Sequence, residues 1–402
     1  MPSQPYTLEI EVLPASHGDA YLIHAHVPGS APLHMLIDGG TEETYRDYIR
    51  PRLQELNAAG ESLAALVVTH VDADHIEGAV SFIAENGASD RPAIIPVADV
   101  WHNSYRHLPM PGRPATSDEI NKVTGQVFVP SIGKRELISA RQGSTLAALL
   151  RKYGYHWNQA FQGAAIVAPD TGLKSVCLSP GVTITLLSPT HQQLEALSYR
   201  WRRELVSLGV SHEAVSADTF ESAYESTLLR MVGQEQDNEE RQISSSSLRT
   251  PPAADTFRED RSVTNASSIA FLLAVADRRV LFLGDALPSV VSMQLSRLTI
   301  DGPLPIDAVK VSHHGSKKNT SPEFLKLIDS RRFLISTNGQ LHRHPDMETL
   351  LWIVAHQKAT TIFFNYPTPE SAAMQDEELI GRYAHQVVVA SGTTGLRLRL
   401  PE

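Results

Sequence analysis

The sequence predicts an α/β fold with its reactive groups on loops at a sheet edge, and three observations predict it. Strands alternate with helices in the first and last parts of the chain. Apolar runs stop abruptly at segments rich in His, Asp and Gly, as they do where loops carry function on a rigid scaffold. The composition, 42% hydrophobic and 20% charged over 402 residues, suits a globular chain with a sizeable buried core.

Residues 8–13 alternate apolar and polar side chains, the pattern of a half-buried strand. Two short apolar runs, 20–23 and 34–37, are bounded by Gly or Pro and read as strands, the second closed by Asp38-Gly39-Gly40. Helical spacing runs through Tyr45, Tyr48, Ile49, Leu53 and Leu56, giving a helix over 44–59. Residues 63–69 form a continuous apolar strand that stops at His70, and a helix is expected over 78–85. Further on come helices at 145–153 and 192–208, with a strand at 182–187 between them. The stretch 233–262 is polar, with a Ser run and a Pro pair, and reads as a flexible loop. Residues 268–275 and 279–283 form a hairpin ending in Gly284-Asp285, and strand 308–312 stops at His313-His314-Gly315-Ser316. A helix at 323–328, a strand at 332–336, a helix at 347–355 and a strand at 361–365 complete the alternation. The chain thus reads as one domain over 1–402, with core halves 6–90 and 263–402 and an insertion over 91–262.

Acidic residues (45) outnumber basic ones (35), and the net charge of −10 counts against a surface that clamps a long nucleic acid, though a local cationic pocket is compatible with it. No run of 18 apolar residues exists, so no membrane helix is expected. The opening residues lack a basic segment followed by an apolar core, so the expected location is the cytoplasm. Cys177 is the only cysteine, which excludes intrachain disulfides and multi-thiolate zinc sites; a metal here is held by His and carboxylates.

The strongest feature is His70-x-Asp72-x-Asp74-His75, directly after a buried strand. Four potential ligands in six residues converge only if the backbone turns tightly, and the adjacent Asp74 and His75 need a loop conformation to face one ion. Asp285 and the pair His313-His314 repeat the relation of strand end followed by ligand. Adjacent histidines point apart, so at most one of the pair is expected beside the ion held by His75.

Taken in order, Gly18-Asp19-Ala20, Asp38-Gly39-Gly40, Thr69 to His75, Phe282 to Asp285 and Val311 to Ser316 resemble the metallo-β-lactamase superfamily. Within it, they are most similar to the soluble hydrolase domain of ComEC-type competence proteins and its stand-alone relatives. The resemblance covers residues 6–90 and 263–365 and extends to His344-Pro345. It implies an αββα sandwich with a dinuclear metal site along one edge. His70 and Asp72 would hold the first ion, Asp74, His75 and His313 the second, with Asp285 bridging. Asp72 stands where the usual motif has His, and Asn265 where a further first-site histidine is expected, as a ligand or a substrate contact. The ComEC-like group shares both departures. Two divalent ions are implied, Zn²⁺ or Mn²⁺, with the oxygen-rich first site favouring Mn²⁺.

The expected reaction is hydrolysis by a metal-bound hydroxide that Asp74 helps to orient. No Ser-His-Asp or Cys-His arrangement competes with it. His314 and His344 are candidates to contact substrate or to donate a proton to the leaving group. Lys310, Lys317 and Arg343 lie beside the motifs and suit a phosphate. The expected activity is therefore a phosphodiesterase acting on nucleic acid or a small nucleotide, with a lactonase or thioesterase as the alternative.

Overall fold

Period-two burial builds the first sheet. Strands β1 (Thr7–Val12), β2 (Tyr21–His26) and β3 (Leu33–Ile37) run antiparallel in turn, with Ile10 opposite Ile23 and Ile23 opposite Met35, all fully buried. β4 (Leu63–Val67) and the short β5 (Val100–Trp101) add in parallel on one side. The computed structural model describes residues 6–108, 138–207, 248–299 and 301–400. Of the expected loop over 233–262, residues 233–247 lie outside that set.

The second sheet takes strands from both sides of residue 263. Its antiparallel part is β6 (Ser175–Ser179), β7 (Val182–Ser188), β8 (Ala270–Val275) and β9 (Arg278–Phe282). A small parallel pair, β10 (Leu304–Ile306) and β12 (Ile328–Ser330), lies apart. β11 (Ala308–Lys310), β13 (Arg332–Ile335), β14 (Thr361–Phe364) and β15 (Gln386–Val389) continue the sheet from β9, every neighbour parallel. Finally β16 (Leu396–Leu400) crosses to the first sheet and pairs with β1. Parallel pairing places the carboxyl ends of β9, β11 and β13 side by side, where open α/β sheets hold their ligands.

Three apolar layers hold these sheets. The central one joins their inner faces: Ile10, Tyr21 and Ile23 from the first meet Phe271, Leu273 and Phe282 from the second. Tyr21 meets Phe282 edge-on at 6.0 Å across the two sheets. Burying one such ring contributes roughly 2–3 kcal/mol. The outer face of the first sheet is covered by helices α1 (Arg50–Ala58), α2 (Ala73–Asn86) and α3 (Ile138–Lys152), through Leu53, Phe82, Ile83 and Leu149. Helix α4 (His191–Ser207) packs beside α3. The outer face of the second sheet is covered by α5 (Pro288–Leu295) and α6 (Met347–His356), through Val291, Leu295, Leu350 and Leu351. This is the αββα sandwich expected from the sequence. Among the described residues no helix is long and apolar enough to cross a membrane.

One boundary differs in a way that matters for the site. The helix expected at 78 begins at Ala73, so Asp74 and His75 lie in its first turn rather than in a loop. Asp72 supplies the extended residue before that turn (ψ 144°), and an acidic residue in a first turn suits the helix dipole. The start of α2 is clasped by two glycine turns. A Cβ on Gly78 would lie 2.0 Å from Gly39 O, and one on Gly18 1.9 Å from Asp74 O, so backbone touches backbone at both points.

Candidate metal centre

The turn after β4 and the carboxyl ends of β9 and β11 meet at one edge of the sandwich. His70, Asp72, Asp74 and His75 come from the first, Asp285 from the second, and His313 and His314 from the third. The hydrogen bonds assign each imidazole its tautomer. His75 Nδ1 donates to Asp38 Oδ2 at 2.9 Å. Thr69 Oγ1 donates to Asp38 Oδ2 at 2.8 Å, which leaves it to accept from His70 Nδ1 at 3.1 Å. His313 Nδ1 donates to Asn319 Oδ1 at 3.0 Å, and His314 Nδ1 to the Ser336 carbonyl at 2.8 Å. All four Nε2 atoms therefore turn inward with a lone pair to offer, the arrangement that fixes metal-ligating histidines.

Three of them turn toward the Asp285 carboxylate, and that of His314 toward Asp74. Asp285 Oδ2 lies 3.7 Å from both His70 Nε2 and His313 Nε2, and Asp72 Oδ2 lies 3.6 Å from His70 Nε2. On the other side, Asp285 Oδ1 lies 3.5 Å from His75 Nε2, Asp74 Oδ2 lies 3.8 Å from the same nitrogen, and His314 Nε2 lies 3.2 Å from Asp74 Oδ2. Donors about 2.1 Å from a tetrahedral ion stand about 3.4 Å apart. The Nε2 atoms of His70, His75 and His314 and Oδ1 of Asp285 are buried without a hydrogen-bond partner, a costly arrangement that a cation relieves. The residues thus fit two ions that share Asp285, with two imidazoles and one further carboxylate on each side.

Electrostatics agree with the geometry. Burial alone would keep the His75 imidazole neutral, but Asp285, Asp74 and Asp38 outweigh it and push its pKa up to about 10. Burial opposes ionisation of Asp74 and Asp285, yet the surrounding imidazoles hold both carboxyls well below their usual range. Such a cluster takes up positive charge, and a divalent ion competes with protons for the same lone pairs. Side-chain exposure of 29% for Asp72, 20% for Asp74 and 21% for His313, against none for His70 and His75, places the opening on their side.

All six residues expected to hold metal meet here, but their grouping differs from expectation. His314, not His313, stands beside Asp74 and His75, and His313 joins His70. Both backbones are left-handed (φ 48° and 55°), which bends the chain so that neighbouring rings reach the same centre. His314 is therefore placed as a donor at the centre rather than as a free acid facing substrate. Asn265 reaches the centre's edge, where its Nδ2 donates to Asp260 Oδ2 at 2.7 Å and lies 3.3 Å from His313 Nδ1. His344 stands at the rim, its ring 5.0 Å from that of His313 and its Nδ1 3.4 Å from Asp346 Oδ2.

The cations lie elsewhere than expected. Lys310 is 1% exposed, donates to the Gly284 carbonyl at 2.8 Å and is ion-paired with Asp19, so it is spent inside the protein and cannot clamp a phosphate. Lys317 is exposed and pairs with Glu348 at 2.8 Å. Arg343 is half-buried beside His344, in a left-handed turn at φ 57°. Two residues missed as site members, Asp19 and Asp38, orient His314, His75 and Lys310 from beneath. Their signal was an acidic residue beside Gly at a strand end. Asp38→Asn should weaken metal binding roughly 10–100-fold, since an amide accepts at one end only and leaves either the Thr69 N–H or the Thr69 hydroxyl and His75 Nδ1 without an acceptor. Competition with a metal-sensitive dye measures this, and unchanged affinity would refute the orienting role.

No protein-family model matches the chain, and no curated protein does. Among solved structures it is similar to CmlA, a diiron beta-hydroxylase from Streptomyces venezuelae, at 12% identity and a TM-score of 0.36. A mutant of the CmlA beta-hydroxylase gives 11% identity and the same score. Each match covers 100% of this chain and 55% of the other, so the chain spans about half the length of those proteins. At that similarity nothing of their activity transfers to it.

Proposed function

We propose that the chain is a dinuclear metal-dependent hydrolase of the metallo-β-lactamase superfamily, resembling the ComEC-type group, and that it cleaves phosphodiesters in nucleic acid or a small nucleotide. The observation that carries the reading is the convergence of four imidazole Nε2 atoms, each with its Nδ1 committed to a protein oxygen: three stand around the two oxygens of Asp285 and the fourth, of His314, beside Asp74. Two divalent ions, Zn²⁺ or Mn²⁺, would lower the pKa of a water and polarise the bond to be cleaved. The chain supplies the rest. Asp285 holds the two halves of the donor set together, Asp38 and Thr69 fix the rings of His75 and His70, and the partly exposed Asp72, Asp74 and His313 face the entering substrate. His344 stands at the rim, its ring 5.0 Å from that of His313, on the side where a leaving group would depart. With both His313 and His314 at the centre, each side has two nitrogens, so the ground for a nitrogen-poor first position is gone and Zn²⁺ and Mn²⁺ stand level.

A second reading, a lactonase or thioesterase, is favoured by the internal pairing of Lys310 and the Glu348 pairing of Lys317, which leave the phosphate reading with fewer free cations. The two part in one assay. Chelator-treated protein resupplied with Mn²⁺ or Zn²⁺ is tested on bis-p-nitrophenyl phosphate, single-stranded DNA, cyclic dinucleotides and a lactone. Phosphodiester cleavage is expected. Lactone hydrolysis without it would replace the substrate class and leave the centre intact.

A further inference from the structure

The centre's two halves are built alike except for what lies behind them. Behind the His75–His314 half runs a buried ion pair, Lys310 with Asp19, both 1% exposed or less. Lys310 Nζ donates to the carbonyl of Gly284, the residue before Asp285, and lies 3.8 Å from Asp285 Oδ1. That is the oxygen 3.5 Å from His75 Nε2, whereas Oδ2 faces His70 and His313. Asp19 Oδ1 lies 3.4 Å from His314 Nδ1, and its Oδ2 3.9 Å from His75 Nδ1. Taking an ammonium out of water is expensive, and Asp19 supplies the opposite charge that holds it there.

The position of the pair has an electrostatic consequence. A fixed positive charge beside Asp285 Oδ1 repels any cation that this oxygen would ligate, and Asp19 attracts it. Coulomb energy scales with the charge of the ion, so the repulsion grows by half on going from a divalent to a trivalent ion. We propose that Lys310 is a positioning residue that sets which cation charge the centre accepts: held by Asp19 and the Gly284 carbonyl, it weakens the His75–His314 position and disfavours trivalent ions there more than divalent ones. This rests on the dinuclear reading above and adds an inequality between its two halves.

The test is a titration of the full chain, stripped of metal, with Mn²⁺ and with Tb³⁺, followed by calorimetry and terbium luminescence, with circular dichroism as the check of folding. The variants are Lys310→Met, Asp19→Asn and the two combined. Lys310→Met should tighten the weaker Mn²⁺ step about ten-fold and the matching Tb³⁺ step about thirty-fold, the exponent following the ion's charge. Asp19→Asn should weaken the same Mn²⁺ step about ten-fold. The combined variant, which removes one charge of each sign, should return within about three-fold of the wild type, a compensation that general damage would not produce. Should Lys310→Met fail to fold, Asp19→Asn and the combined variant decide alone. Shifts of the same sign in the two single variants, or an Asp19→Asn that leaves both steps unmoved, would overturn the proposal. Wild-type protein that takes up no Mn²⁺ would reject the metal centre and this role with it. Two bound ions in wild type with unmoved variants would reject only the role of Lys310.

Discussion

Asp285→Ala is expected to reduce bound metal from about two ions per chain to one or none and to lower hydrolysis at least roughly a thousand-fold. Each oxygen of this one carboxylate faces a different half of the donor set, so its loss unlinks them and leaves buried imidazoles with no shared anion. The fold should survive, because the backbone of the Gly284–Asp285 turn is held by Lys310 from the Gly284 carbonyl and by Ser268 Oγ accepting from the Asp285 N–H. Metal content by mass spectrometry and single-substrate kinetics measure the two effects. A variant with two ions and near wild-type turnover would remove Asp285 from the centre and with it the dinuclear reading.

Gly78→Val should destabilise the protein by about 3 kcal/mol and displace half of the donor set. Any Cβ at this position meets Gly39 O at 2.0 Å and Thr41 O at 2.8 Å, both backbone atoms that cannot rotate aside. The amino-terminal turn of α2 would have to lift from the Asp38-Gly39-Gly40 turn, carrying Asp74 and His75 away from Asp285. Metal affinity and denaturation midpoint should therefore fall together. Gly381, in the helix Glu377–Tyr383, is the control: a Cβ there meets nothing within 4 Å, so Gly381→Ala should leave affinity unchanged and stability level or slightly higher. Equal stability of Gly78→Val and wild type would mean that the helix does not depend on this contact for its place.

The parts of this architecture that were legible in the sequence are those in which local pattern and burial agree. β1, β2, β4, β7 and β9 were marked by alternation or apolar runs, and the ends of β4, β9 and β11 by the residues that make the centre. What escaped has non-local causes. The first turn of α2 was hidden because Asp72-Ala73-Asp74-His75 has no apolar repeat, and the contact that seats it, Gly39 on Gly78, joins residues distant in sequence. The convergence of His313 and His314 depends on two successive left-handed residues, which adjacent histidines do not announce. Lys310 stands just before the His313-His314 motif and read as a phosphate contact. Its burial follows from Asp19, far earlier in the chain, whose carboxylate compensates it.

The pairing of β16 with β1, Leu8 against Leu400, has a consequence for how the chain is made. On the ribosome, β1 emerges with one edge already able to bond β2 and the other without its partner until residues 396–400 follow. An open, apolar edge strand is a template for pairing between nascent chains. The metal ligands are divided in the same way, since His70 to His75 leave the tunnel long before Asp285, His313 and His314. Cotranslational folding of the first half can yield at most a partial sheet without a closed centre. Closure of the sheet edge and completion of the donor set both wait for the second half, and contacts of such long range slow folding.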